Sequence, residues 1–471
     1  MSQKPIAGLI GRHESHIELI FTGSDEAIEQ AKEELTIVNK NLQMEALKLR
    51  KTQPRNQEHL QAIKDRLAEI EPKITTTYYE EIAPNTLSVP PGYYFLCETM
   101  LDRGHINIIE PMTSYTGEKW PARYYQVKAV EELMKYTRAT FLGATGCGKS
   151  KIISMLTNSF VVAEARVLIV TPSVYLMRQL FGSTRESLKE AISRKTIISM
   201  NGDGESIREG SDVVVTTTQS ALSIADRFDV VIFDELHTLA AETYLQVAIA
   251  AINARCVYGL TGSLKRMDGM ERTIPAWVGK TVYSYLYKDG VRDGFLNKVQ
   301  YIQVPVHTGV VEKNHLPLMT EYKRQYKNKS MIEKVHSLTA KALSAGRSII
   351  TLGKSIETLK SMAEPFDVDV ADADYKYPIH QYIKGDKPML YATSKLVGTG
   401  VDIPKADCII YLDNGSSNIT LIQSAGRLTR LMEGKKTSLF LDVYPDNERG
   451  REMAAKRLAV AIDQGWELGN G

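Results

Sequence analysis

The sequence predicts an α/β protein built on two parallel sheets in tandem, preceded by a small α+β accessory domain. Three observations lead there. From Trp120 onward, short β-branched runs alternate with helical stretches. These runs form two sets, separated by the Gly- and charge-rich segment KDGVRDGFLN at 288–297. The residues before Trp120 carry a different texture, of charged amphipathic stretches followed by broken apolar runs.

In the first region, SDEAIEQAKEELTIVNKNLQMEALKL (24–49) places apolar residues at helical spacing behind a Ser-Asp start. NQEHLQAIKDRLAEIEP (56–72) repeats the pattern, so a helical hairpin is expected, with KTQPRN as its turn. VPPGYYFLCETM and INIIEP read as a small β-hairpin. Next, ARVLIVTP, DVVVTTT, DVVIFDE and CVYGLTGS form the first set of strands, with a brief RATFL before them. RSIITLG, PMLYAT, DCIIYLD and SLFLDV form the second. Near-continuous apolar strands separated by helices imply sheets covered on both faces. The expected domains are 1–115, 116–290 and 291–450, with a C-terminal helix or tail at 451–471.

Length and composition agree. A chain of 471 residues with 43% hydrophobic and 24% charged residues has the material for two to four cores. The net charge of +2 is uneven: −5 over residues 1–115, +3 over 116–290 and +4 over 291–471. A polyanionic partner is therefore compatible with the last two thirds, although the bulk charge does not demand one. Cys97, Cys147, Cys256 and Cys408 are far apart and form no C-x-x-C pair, which signals neither a zinc site nor a disulfide framework. The N-terminus lacks the apolar core of a signal peptide and no run is long enough to span a membrane. A cytoplasmic protein without membrane partners is expected.

The chemistry concentrates in GATGCGKS, where Gly143, Ala144, Thr145, Gly146, Cys147, Gly148, Lys149 and Ser150 match G-x-x-x-x-G-K-[ST] in full. The glycines free backbone N–H groups to turn onto phosphate oxygens. Lys149 supplies a point charge, and the Ser150 hydroxyl is suited to Mg²⁺. A Gly-rich surface turn would explain the pattern alone. DVVIFDELHTL (229–239) argues against it, because an apolar strand ends there in two carboxylates about 85 residues downstream. Asp234 is expected to hold the metal and Glu235 to orient and deprotonate the attacking water. An isolated Asp-Glu pair would read as a solvated turn; behind this loop it reads as the acidic pair of an ATP hydrolase.

From DELH onward the chain resembles the superfamily 2 helicases. RYYQVKAV (123–130) resembles their Q-type motif, VTPSVYLMRQ (170–179) motif Ia, VVTTTQSAL (214–222) motif Ib and LTGS (260–263) motif III. TLGKSIETLK (351–360) resembles motif IV, ATSKLVGTGVDIPKAD (392–407) motif V and QSAGRLTR (423–430) motif VI. The resemblance runs over about residues 120–445, with the motifs in order. It implies two tandem RecA-like domains, ATP and Mg²⁺ as cofactors, and a nucleic acid as partner.

The resemblance also assigns residues. It implies that Gln126 meets the adenine edge, that Gln423 contacts the γ-phosphate or the lytic water, and that Arg427 and Arg430 are the motif's two arginines, with Arg430 as the finger. Gly400 and Asp402 belong to the nucleotide side of motif V, and His237, Thr261 and Ser263 couple motifs II and III. Thr171, Arg178, Gly202, Thr217 and Thr393 fall at strand-tracking positions. Many relatives have Gly where this chain has Thr429, which removes neither arginine charge. Outside such a motif, Arg427 and Arg430 would read as a solvated helix face. EYKRQYKNKS (321–330) allows a stacking surface for single strands, but is read here as the solvated first turns of a helix.

Residues 259–304 resemble the phage branch-migration helicases of the UvsW type, with a TGS motif, a basic pair, a short helix, V-G, an aromatic strand and D-G. That resemblance implies action on forks, Holliday junctions and displacement loops, in a host cytoplasm and beside recombination or replication proteins. An RNA helicase on the same core, or an ATP-gated clamp or annealing protein, remains a reading of the same motifs.

Overall fold

The computed structural model describes residues 8–13, 16–23, 25–54, 57–84, 86–90, 122–191, 196–238, 242–264, 273–313, 316–398, 403, 406–413, 415, 418–431 and 437–469. The chain divides into two units, one of Met1–Leu142 with Gly148–Ser284 and one of Gly143–Cys147 with Tyr285–Gly471, and each holds one seven-stranded sheet. In the first unit the strand order is Thr281–Tyr285, Arg138–Gly143, Cys256–Thr261, Val230–Phe233, Val167–Thr171, Val213–Thr217 and Ile198–Asn201. From Arg138–Gly143 to Ile198–Asn201 every neighbour pair is parallel. Val167–Thr171, Val213–Thr217, Val230–Phe233 and Cys256–Thr261 are buried at every position, as continuous apolar runs require of a sheet covered on both faces.

One face of this sheet packs Leu168, Val170, Val214, Val231 and Phe233 against Val247, Ala251 and Ile274. Each such side chain contributes about 1.5–3 kcal/mol by leaving water. The polarity of a parallel sheet has a second effect: the ends of the RATFL and DVVIFDE segments emerge at the same edge. Ligands of open α/β sheets bind at that carboxyl edge.

The accessory residues belong to the first unit and depart from the expected pattern. Gly8–His13, His16–Gly23, Thr86–Val89 and Glu80–Ala83 form an antiparallel sheet in that order, whose first two strands carried no expectation. The single helix expected over 24–49 is two helices, Asp25–Glu34 and Lys40–Lys51, with the strand Thr36–Val38 between them. The reason is local. Thr36, Ile37 and Val38 are β-branched, and Thr36 Oγ1 donates to Lys32 O at 2.6 Å, closing the first helix. Asn39 then caps the second by accepting from the N–H groups of Asn41 and Leu42. Lys40–Lys51 does pair with Gln57–Ile74 as a helical hairpin, tied by Arg50–Glu71 and Arg66–Glu45, both 2.8 Å. The small hairpin expected from VPPGYYFLCETM and INIIEP lies outside the described residues beyond Pro90.

The second unit orders its strands Val370–Ala371, Met389–Thr393, Ile349–Gly353, Cys408–Tyr411, Ser438–Pro445, Val299–Val306 and Glu467–Gly469, all parallel. The helix Glu448–Gln464 is fixed to it by a buried ion pair. Arg457 Nε meets both carboxylate oxygens of Asp442 at 3.0 and 2.9 Å, with the side chains 2% and 1% exposed. Tyr301 OH donates to the same carboxylate and Arg457 Nη1 to Gly415 O.

EYKRQYKNKS resolves into the helix Leu318–Tyr326 and the start of Lys329–Ser344. Its tyrosines are core residues: Tyr322 and Tyr326 are buried and stacked at 4.4 Å, while Lys323 and Lys327 pair with Glu357 on the surface. A stacking platform for bases is therefore not available from them. Among the described residues no helix is long and apolar enough to cross a membrane.

Removing one partner of a buried pair leaves the other charge uncompensated. Arg457→Leu is expected to destabilise the second unit by about 3–5 kcal/mol. The joint replacement of Asp442 and Arg457 by Leu should recover part of that loss, as read from denaturant midpoints.

Candidate nucleotide and nucleic-acid site

The loop Gly143–Gly148 leaves the strand Arg138–Gly143 and enters the helix Lys149–Val162. Gly146 and Gly148 have φ of 90° and 84°, in the left-handed region that favours glycine. Gly148 is the N-cap, so the first free N–H groups of a 14-residue helix open at the loop. A Cβ on Gly148 would lie 2.5 Å from Gln126 Nε2. Gln126 is itself buried, with Oε1 accepting from Arg123 N at 2.9 Å and Nε2 donating to Gly148 O at 3.5 Å. The structure thus places this glutamine as a brace on the loop's last glycine.

Lys149 and Ser150 are half-buried on the first turn, and Cys147 is buried beneath the loop. Lys149 Nζ lies 3.9 Å from Glu235 Oε1. Glu235 follows the strand Val230–Phe233 with φ of 49°, uncommon for a residue with a Cβ. Its carbonyl is held by Thr238 N–H and Oγ1 at 3.0 and 2.9 Å. Asp234 is only 6% exposed; its Oδ1 accepts from Glu235 N at 3.0 Å and its carbonyl accepts from Tyr244 OH at 2.6 Å. Burial, and then the neighbouring Glu235 carboxylate, push the Asp234 carboxyl up to about 7.

Two adjacent carboxylates, one of them buried, with the Lys149 ammonium beside the other, suit a divalent cation. The loop beside them presents N–H groups to phosphate. These residues fit Mg²⁺ and a nucleoside triphosphate: Ser150 and Asp234 would hold the ion, and the loop the phosphates.

His237 and Thr261 meet inside the first unit. Thr261 Oγ1 donates to Ser263 O at 2.9 Å, which leaves it an acceptor for His237 Nδ1 at 3.1 Å. The same Nδ1 is 3.4 Å from Glu235 Oε2, so an Nδ1–H tautomer serves both oxygens. The three expected coupling residues are therefore brought together. Tyr244 and Gly259 also belong to this assembly and carried no expectation. A Cβ on Gly259 would lie 2.1 Å from Leu236 Cδ2, so the strand beneath the acidic pair needs glycine there. Nothing in the sequence around Tyr244 marks it; Gly259 stands out only as a glycine inside a β-branched run.

The expected strand-tracking residues divide. Arg178, Gly202 and Thr217 gather at one end of the sheet, where Arg178 pairs with Asp203 and Thr217 Oγ1 donates to Ser220 Oγ at 3.3 Å. Thr171 is fully buried, and its hydroxyl donates to Ser173 O at 3.1 Å, shaping the turn. In the second unit Thr393 is half-buried at a strand end, Gln423 half-buried on the helix Asn418–Ala425, Arg427 buried and Arg430 half-buried. Thr429, in place of glycine, is buried and donates to Gly426 O at 2.9 Å, closing its own turn. Gly400 and Asp402 lie outside the described residues.

A full Walker-type loop, an acidic pair beside it, a His–Thr link between two strand ends and a second parallel sheet carrying Gln423, Arg427 and Arg430 are the features on which the resemblance to superfamily 2 motors rests. The comparisons with known proteins agree with the resemblance to superfamily 2 helicases over the first sheet. Residues 119–266 match the family described as type III restriction enzyme, res subunit. The chain is 22% identical over 264 residues to a probable helicase, D10, of Escherichia phage T5, covering 54% of this chain and 57% of that protein. It is 23% identical over 368 residues to the DNA 3′-5′ helicase XPB of Kineococcus radiotolerans, covering 74% of this chain and 64% of that one. The chain thus spans less than two thirds of the length of these relatives. The crystal structure of T4 UvsW aligns over 99% of both chains at 15% identity, with a TM-score of 0.39.

Gly148→Ala tests the loop. A methyl group at that φ, against Gln126, is expected to weaken nucleotide binding by about tenfold or more, since strain of this kind costs on the order of 1–3 kcal/mol. Titration with a fluorescent ATP analogue checks it.

Proposed function

We propose that this chain is an ATP- and Mg²⁺-dependent DNA translocase that remodels branched DNA such as forks, Holliday junctions and displacement loops. The observation that carries the reading is the acidic pair: buried Asp234 and strained Glu235, 3.9 Å from the loop lysine at the carboxyl edge of a parallel sheet. Lys149 and the loop N–H groups bind and orient the triphosphate. Glu235, fixed by its backbone and by His237 Nδ1–H, accepts the proton of the attacking water. Asp234 and Ser150 would hold Mg²⁺, which would supply charge neutralisation on the phosphates. Thr261 links Glu235, through His237, to the strand end from which the chain continues towards the second sheet.

DNA as the polymer is supported by the relative from Kineococcus radiotolerans, a DNA 3′-5′ helicase. The resemblance of residues 259–304 to UvsW-type helicases supports branched DNA, and with it recombination or replication proteins as partners.

The test is the steady-state ATPase rate with single-stranded DNA, blunt duplex, a fork, a four-way junction and single-stranded RNA. Fork or junction is expected to stimulate most. Glu235→Gln is expected to lower the stimulated rate by about a hundredfold or more, the range for a lost general base, while fluorescent ATP-analogue binding persists. Stimulation chiefly by RNA would overturn the DNA assignment, and no stimulation by any polymer would favour a gated binder.

A further inference from the structure

The outermost strand of the first sheet, Ile198–Asn201, runs into a two-residue turn. Gly202 and Glu205 exchange both backbone hydrogen bonds at 3.1 Å, and Asp203 and Gly204 between them have φ of 56° and 82°. Two successive positive φ values make a type I′ turn, for which Asp-Gly is a preferred pair. The turn holds the Asp203 carboxylate against the helix Val174–Ala191. There its Oδ2 accepts from Nε and Nη2 of Arg178 at 3.0 and 2.5 Å. Both side chains face solvent, 53% and 41% exposed.

Other groups converge on the same place. Thr217 Oγ1 donates to Ser220 Oγ, and Asn201 Nδ2 donates to Ser220 O at 3.2 Å. A Cβ on Gly202 would stand 2.8 Å from Ser220 Oγ and 3.3 Å from Thr217 Oγ1. A guanidinium, two hydroxyls and a bare glycine backbone are what sequence-independent sugar-phosphate contact uses. Yet the guanidinium already holds an anion.

We propose that Asp203 is an internal stand-in for a nucleic-acid phosphate on Arg178, and that the strand must displace it to bind. Carboxylate and phosphate take the same N–H groups of a guanidinium, so the two compete for one donor face. The competition is mild, because an exposed ion pair is weak. The effect of Asp203 is to lower affinity and to recapture Arg178 when the strand leaves, which suits a grip that must be released repeatedly. The inference rests on the proposed nucleic-acid function of this edge.

The test is equilibrium binding of a fluorescent 20-nucleotide thymidine oligomer to the full chain and to Asp203→Asn, Arg178→Ala and the double variant. Asn-Gly is equally suited to the type I′ turn, so the Asn variant removes the charge and keeps the backbone. Asp203→Asn is expected to tighten binding about two- to fivefold, the range an exposed pair allows. In the Arg178→Ala background the same change should have no effect. An equal gain in both backgrounds would show general relief of repulsion, and weaker binding by Asp203→Asn would show that Asp203 aims Arg178 productively. Either result overturns the proposal. If the unsubstituted chain hydrolyses ATP but none of the four proteins binds the oligomer, the nucleic-acid reading has failed, and the phosphate role of Asp203 with it.

Discussion

The structure of the first unit turns on one electrostatic problem: keeping a buried carboxylate next to a second one without losing either. Asp234 lies at the end of a strand buried on both faces, where solvent cannot offset its charge. What is arranged around it answers that problem. The Glu235 N–H points back at Oδ1, the Tyr244 hydroxyl fixes the carbonyl, and Lys149 stands close to the Glu235 carboxylate. The raised Asp234 carboxyl shows that these donors do not suffice alone. A site left under-compensated in this way is suited to a cation that comes and goes with its nucleotide, whereas a site fully satisfied by protein groups would resist one.

The same constraint explains the strain at Glu235. With Asp234 anchored by backbone contacts to Val170 on the neighbouring strand, the chain must turn sharply to bring the next carboxylate to the same edge. A φ of 49° achieves this at a cost of about 1–3 kcal/mol, which the buried strand and the Thr238 contacts hold in place. The His237–Thr261 link then makes the position of Glu235 depend on the strand Cys256–Thr261. Gly259 belongs to this logic, because Leu236 occupies the space a side chain would need.

How much of this was legible in the sequence follows from how locally each feature is encoded. The P-loop glycines, the acidic pair and the eight principal apolar strands are contiguous patterns, and the structure places them at one sheet edge or another as their order predicts. The accessory helices were misjudged because amphipathic spacing continued through Thr36–Val38, where three β-branched residues and an Asn cap outweighed it. Tyr322 and Tyr326 posed the converse difficulty, since Tyr interleaved with Lys describes an exposed platform and a half-buried helix equally well. Thr171 and Tyr244 depend on contacts across 45 and 74 residues or on a turn's own geometry, and no spacing rule reaches them.

The accessory residues are attached to the first unit by a specific contact. Tyr78, between the short strand Thr75–Thr77 and the antiparallel sheet, shares a buried hydrogen bond with Thr273 Oγ1 at 3.3 Å and sets its ring edge against Trp277 at 6.2 Å. Thr273 and Trp277 begin and end the short helix of the first unit that follows motif III. The accessory domain is therefore fastened to the motor sheet that carries the acidic pair, at a segment close in sequence to the Thr261 link. The cluster around Arg178, proposed to track the strand, offers a guanidinium, hydroxyls and backbone, which are indifferent to base sequence and to branching alike. On the proposed function, selection of a branch would come from elements outside that cluster. The salt-bridged helical hairpin, which leaves Met44 54% and Leu47 42% exposed beside Lys48 and Lys51, is an element of the first unit with apolar and basic surface to spare.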